Sequence, residues 1–408
     1  MIWIIAWKNI WRNKTRSLVL ILAIALGLTA GVFSSAVMQG TGDQRIREAV
    51  NRETAHLQVH NPKYLEDYKI EFILPPTKTK LEEALDTMKE VQAWSSRIRI
   101  QAMASSANAG TGVIIYGIDP GKETKVTEIH SLICDSCGDY FGPARGNPIV
   151  IGRKLAEKLK IRLHSKIVLT FQDIQGNLTG AAFRVMGMYH TCNSVFDEMT
   201  VFVRKDALAL LVGLDPKEDH EIAILLHDTK KVPEVQQHLK RMFTGMLIQS
   251  WQEIDPLVGI LDGLMDLWLY LFMGIILAAL GFGIINTMLM AILERTRELG
   301  MLTAIGMNKS RVFRMIILES VYISLIGGII GMILGYLLTL WTGYIGINLG
   351  SFAKGFEKIG YSPIMYPALD IMFFIILTCM VIITGILASC YPAIKALKLK
   401  PAEAVRIE

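Results

Sequence analysis

Four stretches of the chain, residues 17–42, 267–293, 320–353 and 371–394, run without a single Asp, Glu, Lys or Arg. A helix that crosses a bilayer needs roughly 20 apolar residues, so each run predicts a transmembrane helix. Between the first two lies a segment of ordinary polarity, residues 43–266, in which apolar positions recur at strand and helix spacings. Strands are expected over 57–60, 113–116, 148–151, 167–171, 183–188, 200–203, 222–226 and 246–249, and helices over 81–91, 153–159 and 232–242. Gln175-Gly176-Asn177 marks a turn joining two strands as a hairpin. The pattern predicts an α-helical membrane protein with four transmembrane helices and a mixed α+β extracytoplasmic domain inserted between helices 1 and 2.

Composition supports this reading: 52% of residues are hydrophobic and 19% charged, against about 25% charged in soluble domains. A wholly soluble enzyme is excluded. The net charge of +5 hides an uneven distribution. Lys8, Arg12, Lys14 and Arg16 precede the first run; Arg295, Arg297, Lys309, Arg311 and Arg314 lie between the second and third; Lys395, Lys398, Lys400 and Arg406 follow the fourth. The connection between the third and fourth carries only Lys354 and Lys358. Because Lys and Arg concentrate in loops that stay in the cytoplasm, both termini and the 294–310 connection are expected inside, and the large domain outside. That domain is nearly neutral, which gives no footprint for nucleic acid.

The first uncharged run, 26 residues long, exceeds the about 7–15-residue core of a cleaved signal peptide. Trp3, Trp7 and Trp11 recur every four residues and would form one stripe of a helix beside basic residues, suited to an interface. The expected segments are then 1–16 (interfacial helix), 17–42, 43–266, 267–293, 294–310, 311–341 (third span), 342–370 (short outside loop), 371–394 and 395–408 (inside tail). Gly27 with Gly31, and Gly327, Gly331 and Gly335, stand at the spacing that lets helix backbones approach closely. Glu319, near the start of the third span, is a costly carboxylate that can pair with a basic neighbour or serve a proton or substrate role.

Chemistry-bearing motifs are sparse. Gly117-Ile-Asp-Pro-Gly-Lys-Glu123 is one residue short of a P-loop and has Glu where Ser or Thr must bind magnesium. Cys134-Asp-Ser-Cys137 is a single CxxC, weak as a zinc signal. In an oxidising compartment two of Cys134, Cys137 and Cys192 can pair, leaving one free. No cofactor, metal site or covalent catalysis is expected of this chain.

One segment carries a mechanism. In Glu294-Arg295-Thr-Arg297-Glu298-Leu299-Gly300-Met-Leu302-Thr303-Ala-Ile305-Gly306, the residues Leu299, Leu302 and Ile305 repeat every three positions as an apolar stripe, and Gly306 ends a short amphipathic helix. Such a helix can dock in the groove of a soluble partner or rest on lipid headgroups. The pattern alone leaves both open.

This stretch closely resembles the ERTREIGxLRAIGA signature of the FtsX-like and MacB-like ABC transporter permeases, where it forms the coupling helix docked on the ATPase. The opening Ala6-Trp-Lys-Asn-Ile-Trp-Arg12-Asn13-Lys14-Thr-Arg16, the third span with Glu319, Gly327, Gly328, Gly331 and Gly335, and the run from Tyr391-Pro392-Ala393 to Pro401-Ala402-Glu403-Ala404-Val405-Arg406 are similar to that family as well. In the outside segment, Tyr116-Gly-Ile-Asp-Pro120, Ile149-Val-Ile-Gly152-Arg-Lys-Leu155-Ala156 and Asp197 resemble the lipoprotein-releasing permeases of the LolC and LolE type. Two positions depart: the family's frequent Gly-Asp before the central hairpin is Leu163-His164-Ser165, and Thr303 replaces a common basic residue.

The resemblance implies an inner-membrane permease subunit that extracts lipoproteins for delivery to the outer membrane. Its partner would be a LolD-like ATPase that holds ATP and Mg, coupled through Glu294, Arg295, Arg297, Glu298, Leu299, Leu302, Ile305 and Gly306. A second permease, identical or homologous, would dimerise with it through the first spans, the five glycines serving dimer or helix packing, and a periplasmic chaperone is a further partner. Acyl chains would enter a cleft near Val32, Val37, Leu267 and Leu271. The alternatives are a MacB-like efflux or peptide-export permease, and an FtsX-like device that signals across the membrane to a cell-wall hydrolase.

Overall fold

The structure, a computed structural model, describes residues 2–12, 14–64, 68–142, 146–298, 301 and 307–397. In chain order, α1 (Ile2–Arg12) and α2 (Lys14–Glu48), prolonged by a π-helical turn at Ala49–Thr54, lead to β1 (Leu57–His60). Then come α3 (Lys78–Thr87), β2 (Val91–Ser105), β3 (Gly110–Ile118), α4 (Pro120–Val126), β4 (Ile133–Gly138), β5 (Pro148–Gly152), α5 (Arg153–Leu159), β6 (Lys166–Gln172) and β7 (Leu178–Tyr189). The second half continues with α6 (Ser194–Met199), β8 (Thr200–Arg204), α7 (Lys205–Val212), β9 (Glu221–Leu226), α8 (Val232–Met242), β10 (Leu247–Ser250) and α9 (Trp251–Ile254). The chain then forms α10 (Pro256–Glu294), α11 (Lys309–Ile345), β11 (Ile347–Asn348), α12 (Ala353–Lys358), β12 (Ile364–Met365) and α13 (Ile371–Leu397).

The described residues group into a helical unit (within 1–42, 263–348 and 364–408) and a sheet unit (43–262 and 349–363). Four helices are long and apolar enough to cross a membrane; three contain their uncharged runs whole, whereas the third run, 320–353, outlasts its helix, which ends at Ile345. Their surfaces are apolar all round, as expected for helices that face both lipid and each other. Contact specificity therefore comes from shape. Glycines on α11 let it settle onto α2: an added Cβ would lie 2.7 Å from the Ala25 carbonyl oxygen at Gly331 and 2.8 Å from the Val32 Cβ at Gly335. Thr29 bridges this seam, its hydroxyl lying 3.2 Å from the Gly331 carbonyl oxygen. Asn308 starts α11 by accepting the Ser310 N–H at 3.1 Å, and Gly346, at φ +78°, ends it.

The sheet unit is built on ten strands in the order β10-β1-β9-β2-β3-β8-β5-β7-β4, with β6 pairing both β2 and β7. Pairing is antiparallel except for β3 with β8 and β5 with β7. Strands β1, β5 and β9 are buried along their whole length, whereas β6 alternates exposed and buried positions. Helices α3 and α8 cover one core through Leu81, Leu85, Val235 and Leu239, and α5 and α7 cover another through Leu155, Leu159, Leu208 and Val212. The hairpin turn at Gly176 (φ +81°) is pinned by the Asp173 carboxylate, which accepts the Gln175 and Asn177 N–H groups at 2.9 and 2.8 Å.

Two features depart from the periodicity. The helix expected over 81–91 spans Lys78–Thr87, because Val91 already pairs with Leu226 in the sheet. The strand β2, fifteen residues long, was not expected: it carries Arg97 and Arg99 in alternation with Ile98 and Ile100. Arg97 is fully buried and grips two carboxylates: Nη2 and Nε reach Glu123 at 2.6 and 3.1 Å, and Nη1 reaches Glu221 at 2.7 Å. The near-P-loop is accounted for here, since its Glu123 is an ion-pair partner inside the core.

The Gly152 segment and Asp197 meet. A Cβ on Gly152 would stand 1.9 Å from the Asp197 carbonyl oxygen. The buried Asp197 carboxylate accepts the Thr191 N–H and, at 2.6 Å, its hydroxyl. His164 adopts a left-handed conformation at φ +64°.

Gly152→Ala should therefore lower the thermal unfolding midpoint of the full chain by several degrees through the displaced α6 start; a midpoint within error of the parent would refute this packing. Burial pushes His56 and His60 down to about 4, whereas an unfolded chain protonates near 6.5. Both contributions are fully present above about 6.5 and are lost as pH falls toward 4. His190, raised by its hydrogen bond to Asp197, acts in the opposite sense, but it is half exposed. The unfolding midpoint should fall between pH 6.5 and 4.5, and an unchanged midpoint would argue against neutral burial of the two imidazoles.

Candidate functional site

The charged end of the helical unit gathers residues that lie far apart in sequence. On α1, Ala6 and Ile10 are completely buried, while Trp3, Trp7 and Trp11 stay 62%, 44% and 46% exposed. Trp7 packs edge-on to Tyr322 of α11 at 5.6 Å between ring centroids. The Ser17 hydroxyl donates to the Ile10 carbonyl at 2.6 Å, tying α1 to the first turn of α2.

From this platform Arg12 pairs with Glu298 and Arg16 with Glu294. Arg295 completes the set, with Nε 3.3 Å from Glu298 and Nη1 3.1 Å from Glu319 on α11. Three of the eight residues selected for coupling, Glu294, Arg295 and Glu298, thus belong to one network with Arg12, Arg16 and Glu319. The Arg12 guanidinium holds the Glu298 carboxyl below the usual carboxylate range, with Arg295 assisting. Arg12 and Glu298 are exposed enough for water to screen the pair, so it contributes little on its own. Arg295 and Glu319 are mostly shielded, and each would leave the other as an uncompensated charge if removed. Arg297 is exposed. Leu299, Leu302, Ile305 and Gly306 lie outside the described residues, as do Thr303 and the run from Pro401 to Arg406.

The five packing glycines are all used inside the chain. Gly327, Gly331 and Gly335 face α2, whereas Gly27 meets Leu280 and Gly31 meets Ile276 and Met273, both on α10. The four residues expected around an acyl cleft do not come together. Val32 is fully buried under Gly335, Val37 is half-buried, and Leu267 and Leu271 are 60% and 48% exposed on one face of α10. The neighbouring Leu269 and Met273 turn inward to the core that includes Val32. A uniformly apolar sequence does not say which face is which, and that is why Val32 was misplaced. Cys134 and Cys137 are joined by a disulfide, and Cys192 is free.

Two family models match the chain: the MacB-like periplasmic core domain over residues 17–242 and the FtsX-like permease C-terminal over residues 270–401. The first covers more than half of the sequence and the second most of the rest, which is the order of sheet unit and later helices described above. The chain belongs to the ABC transporter permeases of this MacB and FtsX type.

Among individual proteins, it is 22% identical to the lipoprotein-releasing system transmembrane protein LolC of Neisseria meningitidis serogroup B, over 96% of this chain and 94% of that protein. It is 23% identical to the pyoverdine export ATP-binding/permease protein PvdT of Pseudomonas fluorescens, over 99% of this chain and 59% of that one. It is also 22% identical to an uncharacterized ABC transporter permease, YknZ, of Bacillus subtilis, over 99% and 98%.

If Arg295 and Glu319 stabilise one another, a double-mutant cycle with Arg295→Met and Glu319→Gln should show coupling of about 1 kcal/mol or more, with Arg295→Met the more damaging single change. Additive losses in thermal unfolding of the detergent-solubilised protein would exclude the pairing.

Proposed function

We propose that this permease works with a separate ATPase to draw lipid-anchored proteins out of the inner membrane for delivery to the outer membrane. The observation that carries the coupling half of this reading is the network of Arg12, Arg16 and Arg295 with Glu294, Glu298 and Glu319. It braces the residues that lead into the 299–306 segment against α1, α2 and α11. A push on that segment then moves several helices as a body instead of bending one connection. The basic residues around it favour the cytoplasmic side, where ATP and Mg would be held by the ATPase and not by this chain. A second permease, identical or homologous, would complete the transporter.

The cargo half rests on the end-to-end match to LolC. Extraction has to be driven, since each CH2 of an acyl chain buried in lipid is worth about 0.8 kcal/mol. The exposed Leu267 and Leu271 are the residues on which acyl chains would rest. A second reading, an export permease, is favoured by the 23% identity to PvdT over 99% of this chain; export would need no acyl-chain surface.

Replacing Leu302 and Ile305 with Asp should reduce recovery of the ATPase with the purified permease at least about tenfold, the loss of roughly 1.4 kcal/mol. Undiminished recovery would refute docking at this segment. Lipoprotein retained by the purified complex, and lost in Leu267→Asp/Leu271→Asp, is the expected cargo result. Retention of a soluble export substrate or a cell-wall hydrolase instead would replace the lipoprotein reading.

A further inference from the structure

The sheet unit contains a polar cavity of about 420 Å³ that the permease reading does not use. Its walls come from the end of α2 and the following π-helical turn, from His56 just before β1, from Gln92 of β2, from the end of α4 and the residues after it, and from the end of β9 and the segment after it. Arg47 and Lys125 both line it and both are exposed, and neither has an ion-pair partner among the described residues. The one carboxylate on the lining, Glu128, is already engaged: Asn51 Nδ2 donates to it at 3.1 Å and Arg52 Nε lies 3.7 Å away. The cavity thus presents two exposed cations that no ion pair among the described residues engages.

Its neutral groups are aimed as donors too. The Leu226 N–H donates to His56 Nδ1 at 3.1 Å, which leaves the imidazole proton on Nε2 to donate to the Thr229 hydroxyl oxygen at 2.9 Å. Thr229 then has its own proton free to give to a ligand. The wall that holds His56 is built at a cost. Ala55 sits at φ 59°, ψ −176°, backbone space that is essentially reserved for glycine, directly after a rare π-helical turn. Features of both kinds concentrate at binding sites.

We propose that this cavity binds a phosphate group, with Arg47 and Lys125 neutralising it and the Thr229 hydroxyl donating to it. Two cations beside a hydroxyl donor match a phosphate's charge and its several acceptor oxygens. The bearer of the phosphate is an anionic phospholipid headgroup. Arg47 stands five residues beyond Gly42, the last residue of the first uncharged run, in the same helix. At 1.5 Å per residue that is about 8 Å along the helix, the depth scale of a headgroup layer.

The test uses the full chain in nanodiscs of phosphatidylcholine doped with phosphatidylglycerol, the retained lipid being counted by native mass spectrometry. The same protein in detergent is titrated with inorganic phosphate by calorimetry. Arg47→Gln/Lys125→Gln should retain phosphatidylglycerol about tenfold less well than the parent. Arg47→Lys and the remote control Lys89→Gln should retain it as the parent does. Binding of inorganic phosphate with the same dependence on the two cations, but no selective retention of phosphatidylglycerol, would keep the phosphate site and assign it a soluble ligand. Equal retention by the parent and the double variant, together with no phosphate binding that depends on Arg47 and Lys125, would overturn the proposal. Both side chains are exposed, so loss of binding is not to be confused with loss of fold.

Discussion

A carboxylate set into the early turns of an apolar helix has to be met by a cation, and the charged end of the helical unit is organised by that requirement. Glu319 is shielded on α11, and Arg295 reaches it from the residues after α10. Once Arg295 is committed there, its second face is available to Glu298, which Arg12 approaches from α1. Arg16 secures Glu294 in turn. Four separate stretches of sequence are thereby held in register by one buried charge. The apolar seams between helices set how closely they approach, but seams of similar residues slide easily; the ion pairs fix the ends.

The sequence was most legible where a single physical rule acts alone. Charge-free runs of sufficient length have one outcome, and each of the four supplies a membrane-length helix, although the third run continues past its helix end at Ile345. The β6–β7 hairpin was readable because Asp173, Gly176 and Asn177 make a local turn whose geometry needs no tertiary help. Legibility failed where partners come from afar. Strand β2 was hidden because its arginines look like surface residues until Glu123 and Glu221 are brought to Arg97. Val32 and Leu267 read alike as apolar residues in spans, yet one is enclosed beneath Gly335 and the other is exposed. For the coupling segment, the charged residues could be followed into a network, whereas its apolar stripe lies outside the described residues. The cavity around Arg47 and Lys125 had no sequence signature, because the two are 78 positions apart.

The Gly152–Asp197 contact shows how a motif can be structural without being catalytic. Two short sequences that resemble one family of permeases are placed against one another so tightly that a methyl group has no room. The buried Asp197 carboxylate then supports the turn at Thr191. These residues maintain the shape of the sheet unit.

Strands β1 and β10 are hydrogen-bonded partners, with Leu57 opposite Ser250. The first and last strands of the large sheet are therefore neighbours, about 5 Å apart. A lobe with its two ends side by side behaves like a cartridge: it can be enlarged, trimmed or exchanged for another while the gap that its host must bridge stays the same. Changes confined to such a lobe leave the spacing of its two chain ends untouched.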